Sequence, residues 1–118
     1  MNTHPTIPAA AGIGDLAAKA GTAARLLKLL ANERRLLVLC RLATSGEASV
    51  SALADAVGLS QSALSQHLSL MREDGLVSFR RDGQSIYYAI ADPATAHLLA
   101  TLRTIFCGNA ESPPKEAP

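Results

Sequence analysis

Val50-Ser-Ala-Leu-Ala-Asp-Ala-Val-Gly-Leu-Ser-Gln-Ser-Ala-Leu-Ser-Gln-His-Leu-Ser-Leu-Met-Arg-Glu-Asp-Gly75, running on through Leu76-Val-Ser-Phe-Arg-Arg-Asp-Gly-Gln-Ser-Ile-Tyr-Tyr88, decides the fold. Val50, Leu53, Ala54 and Val57 recur at i, i+3, i+4 and i+7, the period of a short helix with one buried stripe. Gly58 stands where a helix end turns left-handed. Ser60 is placed to cap a second helix by accepting an orphan N–H of its first turn. On that helix Leu64, Leu68 and Met71 share one side, and Ser62, Ser65, Gln66 and Ser69 share the other, until Gly75 ends it. Two helices joined by a tight turn, with small Ala54 at their crossing, predict a helix-turn-helix. Uncharged hydrogen-bonding side chains on the outer face suit the edges of bases in a major groove, Gln being matched to adenine.

Two strands are expected next, Val77 to Arg81 and Ser85 to Ile90, with Asp82-Gly83 as the hairpin signal between them. Arg80 and Arg81 at the hairpin tip make it a basic wing able to reach phosphates. The expected DNA-contacting set is Ser60, Gln61, Ser62, Ser65, Gln66, His67, Ser69, Arg80 and Arg81. The run from Leu59 to Leu68, followed by Arg72-Glu-Asp-Gly-Leu-Val77, resembles the recognition helix of the ArsR family of bacterial winged-helix repressors and its exit into the wing. The resemblance covers about residues 15 to 107. It implies a homodimer on an inverted-repeat operator in double-stranded DNA, released by an inducer.

Working outward, 118 residues bound the chain to one domain, and 48% hydrophobic content gives it a core. Only 3% of residues are aromatic, so that core is aliphatic and suits helices. A net charge of +1 is nearly neutral for a DNA binder. Affinity must then come from placed arginines, helix N-termini and two copies of the reading head, with a moderate salt slope. No stretch reaches the ~18 apolar residues of a membrane span, and the start lacks a signal-peptide pattern. A cytoplasmic protein with no membrane contact is expected.

Residues 1–13 read as a disordered arm, 14–108 as the winged-helix and dimerisation domain, and 109–118 as a disordered tail. A first helix is expected from Asp15 to Leu30, with Leu16, Ala20, Ala23, Leu27 and Leu30 as its stripe. Asn32 is placed to cap a second helix reaching about Ala43. After the wing, Asp92-Pro93 starts a last helix, with Asp as cap and Pro in the first turn, reaching about Phe106. The fold class is therefore mainly α with a small β-hairpin: four helices, two strands and a fifth helix. The family resemblance implies a dimer through the first and last helices.

The scaffold accounts for DNA binding and leaves the signal to be found. The helix Val50 to Val57 lacks the Cys-x-Cys pair of the family's metalloid sites, and the last helix offers only Asp92 and His97 where other members carry a carboxylate–histidine metal set. No metal or other cofactor is expected. Cys40 and Cys107 are the two cysteines of the chain. A free cysteine is ordinarily a small buried hydrophobe. These two, however, match element for element the pair of the family's persulfide-responsive subgroup. That resemblance implies redox sensing: low-molecular-weight persulfides or polysulfides link Cys40 to Cys107 and the repressor leaves its operator. Cys107, beside Arg103 and the tail, is expected to attack and Cys40 to resolve. The alternatives are a metal- or metalloid-responsive repressor and a general peroxide-responsive one. No Gly-rich phosphate loop or Ser/His/Asp constellation points to an enzyme.

Overall fold

The computed structural model describes residues 13–108. It divides into two compact units on either side of the Asn32–Glu33 bond. The first holds α1 (Ile13–Ala18) and α2 (Ala20–Leu30). The expected single helix is thus broken at Lys19, whose φ of −112° and ψ of 15° leave helical geometry. The break falls beside Gly21, the weakest helix former in the run. Leu30 is buried, whereas Leu16 and Leu27 stand exposed.

The second unit runs α3 (Glu33–Ser45), β1 (Ala48–Ser49), α4 (Val50–Val57), α5 (Gln61–Glu73), β2 (Val77–Asp82), β3 (Ser85–Ile90) and α6 (Pro93–Cys107). α3 continues two residues past its expected end, since Thr44 and Ser45 return their hydroxyls to the carbonyls of Cys40 and Arg41. α4 begins at a cap: Ser49 accepts from the Ala52 amide. It ends at Gly58, φ 71°, whose conformation a Cβ would strain. Ser60 then caps α5 through the Ala63 amide, and Gly75 closes it at φ 77° with its N–H on the Arg72 carbonyl.

The sheet is antiparallel, in the order β1-β3-β2. β1 is the strand the alternation of residues did not reveal; it pairs Ala48 with Tyr88 and Ser49 with Tyr87. In the hairpin Asp82 faces Ser85, so the loop is Gly83-Gln84 and Asp82 belongs to the strand. Arg81 and Arg80 are the second and third rungs from that turn rather than its tip.

The stripes meet as their spacing requires. Leu53 and Ala54 of α4 and Leu64, Leu68 and Met71 of α5 join Val38, Leu39 and Leu42 of α3, with Leu76, Val77, Tyr88 and Leu99, in the buried core. Each fully buried Leu contributes roughly 1.5–3 kcal/mol. Thr95 is also buried, its hydroxyl donating to Asp92 Oδ2 at 2.7 Å. The other Asp92 oxygen accepts from the Ala94 amide, so this one carboxylate fixes the start of α6 twice over. Towards the other end of α6, Ile105 and Phe106 are exposed in the single chain, 65% and 80% respectively. Among the described residues no helix is long and apolar enough to cross a membrane. Residues 1–12 of the expected N-terminal arm and the expected tail lie outside the described residues, and Ile13, expected as the end of the arm, is the first residue of α1.

Candidate nucleic-acid interface and thiol pair

The reading face is built by α5. Because Leu64, Leu68 and Met71 are held in the core, Gln61, Ser62, Ser65, Gln66 and Ser69 are left outward and exposed. Ser65, Gln66 and Ser69 line a shallow depression together with Leu70. The remaining four expected contacts are placed differently. Ser60 spends its side-chain oxygen on the cap. His67 is half-buried, and its Nδ1 accepts from Arg35 Nε of α3 at 3.3 Å. Burial holds its pKa below the ordinary histidine value, with Arg35 and Arg34 acting in the same direction.

On the wing, Arg80 is engaged. Its Nε and Nη2 donate to the two carboxylate oxygens of Glu47 at 2.7 and 2.9 Å, a bidentate clamp between β2 and the turn ahead of α4. The guanidinium also lies 4.8 Å over the Tyr87 ring and 3.8 Å from Asp82. The hydrogen bonds from Arg80 hold the Glu47 carboxyl below the usual carboxylate range. Arg81, one residue on, is exposed and has no ion pair among the described residues. Arg72 lies 4.9 Å over the ring of Phe79, which tilts against Tyr88 across the hairpin at 5.6 Å. The sequence signal for the Glu47 clamp is absent, because the two residues are 33 positions apart. The resulting face has a polar, neutral helix and one unpaired wing arginine.

The thiols occupy the second site. Cys40 sits half-buried in the middle of α3 and Cys107 exposed as the last residue of α6; both are free. Burial pushes the Cys40 thiol up, and the negative charge of a Cys107 thiolate pushes it further, while Arg103 draws it back. Arg103 and Cys107, both on α6, thus act electrostatically on Cys40 of α3. The described residues hold no cluster of three or more His, Cys, Asp or Glu side chains that would enclose a metal ion, and the Asp92 carboxylate is occupied by its capping role.

Comparison with known proteins agrees with this geometry. Residues 32–78 match the family described as bacterial regulatory protein, arsR family. The chain is 43% identical to the HTH-type transcriptional regulator YgaV of Escherichia coli over 95 residues, 80% of this chain and 96% of that one. It is 44% identical to the transcriptional activator HlyU of Vibrio cholerae over 82 residues, 70% of this chain and 75% of that one. Among solved structures, the transcriptional repressor BigR from Xylella fastidiosa superposes with a TM-score of 0.75 at 38% identity, over 81% of this chain and 97% of that chain. These relatives are DNA-binding regulators, and the fold is theirs rather than that of an enzyme.

Proposed function

The chain belongs to the ArsR family of bacterial regulatory proteins, and from that premise we propose that it is a homodimeric repressor whose operator is an inverted repeat and whose signal is reactive sulfur. The observation that carries the sensing half is the arrangement of thiols: two free cysteines on two helices that pack together, the half-buried one feeling the charge of the exposed one. The exposed Cys107 takes the first step. Its thiolate attacks the terminal sulfur of a low-molecular-weight persulfide, RS–SH, forming Cys107–S–SH and releasing the thiolate RS⁻. The Cys40 thiolate then attacks the Cys107 sulfur and expels hydrosulfide, leaving a disulfide. If a second donor first lengthens the Cys107 persulfide by one sulfur, attack of the Cys40 thiolate on the middle sulfur again expels hydrosulfide and leaves a trisulfide. Each donor departs as RSH and the last sulfur as hydrogen sulfide, so the donor is reduced and the protein dithiol oxidised.

The link joins α3, which donates from Arg35 to the reading helix, to α6. Two heads must meet half-sites about 34–36 Å apart, so a small change in their spacing weakens both contacts together. Reading is assigned to Gln61, Ser62, Ser65, Gln66 and Ser69, with Arg81 on phosphate. His67 and Arg80 serve by positioning.

The test is an electrophoretic titration on the protein's own promoter with reduced, glutathione persulfide-treated and zinc-loaded samples, and with Cys40→Ser and Cys107→Ser variants. Reduced protein and both variants bind; persulfide releases only the unsubstituted protein. Normal release of either variant rejects the dithiol mechanism, and release by zinc alone replaces it with a metal sensor.

A further inference from the structure

Residues of α3 and α6, with Gly46, Ile90 and Gly108, line a cavity of about 490 Å³, within the range of small-molecule sites. Half of its lining is aliphatic: Ile90, Ala43, Ala96 and Ala100, with the core residues Leu42 and Leu99. Polar groups also reach it, but their donors are already spent. The Thr44 and Thr104 hydroxyls donate to the carbonyls of Cys40 and Ala100. The Gly46 and Gly108 amides donate to those of Leu42 and Thr104. Besides the weak S–H of Cys40, the group left with donors to offer a ligand is the guanidinium of Arg103, which has no ion pair among the described residues. A half-open cavity, largely apolar and with one cationic donor, favours a ligand with an apolar body and a single anionic head.

We propose that this cavity binds, without covalent chemistry, a medium-chain carboxylate, its head on Arg103 and its chain along Ile90, Ala96 and Ala100. Arg presents two parallel N–H groups that match a carboxylate in its plane, and the walls take the methylenes out of water. Binding requires no sulfur chemistry, so it stands whether or not the thiols sense persulfide.

The experiment is isothermal titration of octanoate into the full-length protein under reducing conditions. Its comparators are neutral octanamide and shorter hexanoate, and its variants are Arg103→Gln and Arg103→Lys. One octanoate binds per chain. Octanamide binds at least tenfold more weakly, because the charged contact is lost. Hexanoate, two methylenes shorter, is weaker by up to about 15-fold, the limit for two fully buried methylenes. Arg103→Gln lowers octanoate affinity at least tenfold and Arg103→Lys recovers part of it, with far-UV circular dichroism unchanged. Octanoate slows alkylation of Cys40, which lines the cavity, in the unsubstituted protein. Equal binding of octanamide, absence of binding heat, or an Arg103→Gln variant that binds normally overturns the proposal. So does alkylation of Cys40 at an unchanged rate with octanoate bound.

Discussion

Cys40 is opposed from two directions and relieved from one. Burial and the charge of Cys107 disfavour its thiolate; Arg103 favours it. Because the thiolate is the reactive form, alkylation with iodoacetamide near neutral pH should label exposed Cys107 first. Arg103→Gln should slow the labelling of Cys40 further, and Cys107→Ser should speed it. Peptide mapping against time reads all three; faster labelling of Cys40 than of Cys107 would contradict the assigned order of attack. His67 supplies a second residue-scale prediction. Its pKa is held down in the folded chain, while in the unfolded chain it titrates near its ordinary value of about 6.5. As pH falls through that value the unfolded state takes up the proton first, so stability declines, until the folded histidine also protonates and the loss is complete. Protonation of Nδ1 also ends its role as acceptor for Arg35. Urea midpoints measured between pH 8 and 5 should therefore fall with acid in the native protein and fall less in His67→Gln.

The elements differ in how visibly the sequence announces them. α4, its turn and α5 are written locally: a 3.6-residue apolar period, a serine cap, and glycine where φ reaches 71°. Nothing lies within 4 Å of a Cβ built on Gly58, so Gly58→Ala pays backbone strain alone. About 1–2 kcal/mol is expected, and calorimetry should show Tm lower by roughly 4–8 °C per kcal/mol. β1 was not legible, because two residues have no periodicity; they are a strand only because β3 presents an unpaired edge to them. The wing shows the same division. Its strands follow from alternation and Asp82-Gly83, but the Glu47 clamp on Arg80 is a contact between residues far apart in the chain. That clamp withholds a cation from DNA. Glu47→Gln should free it, tighten operator binding at low salt, and steepen the slope of log affinity against log salt by about one per reading head. A slope unchanged by the substitution would mean that Arg80 stays on the protein and that Arg81 alone reaches phosphate. The thiol pair was legible as a resemblance only. The electrostatic influence of Cys107 on Cys40 depends on α3 packing on α6, which no local pattern encodes.

For the whole molecule, the decisive quantity is the number of reading heads. One head offers a neutral polar helix and a single unpaired wing arginine, too little charge to hold DNA strongly by phosphate contacts alone. Tethering two heads makes the second engagement intramolecular and gains about 10²–10⁴ in avidity with no new contact. Exposed apolar side chains are available in each compact unit to join two copies: Leu16 and Leu27 in the first, Ile105 and Phe106 at the end of α6 in the second. Glutamate at Leu27 or Phe106 would place a charge in such an interface, where an unpaired buried carboxylate costs several kcal/mol. Both substituted side chains are exposed in the single chain, at 57% and 80%, so its own packing should survive. Sedimentation equilibrium at micromolar concentration should then show a dimer for the native chain and a shift to monomer for Leu27→Glu and Phe106→Glu. Circular dichroism should match, and operator affinity should fall about a hundredfold or more. A half-site duplex, which needs one head, should bind native and variant proteins alike. If the variants remain dimeric and keep their operator affinity, the copies meet on another surface and the link between Cys107 and the reading heads must be sought there. If they become monomeric yet still bind the full operator tightly, avidity is not what holds the repressor on DNA, and the proposed release by a change in head spacing fails with it.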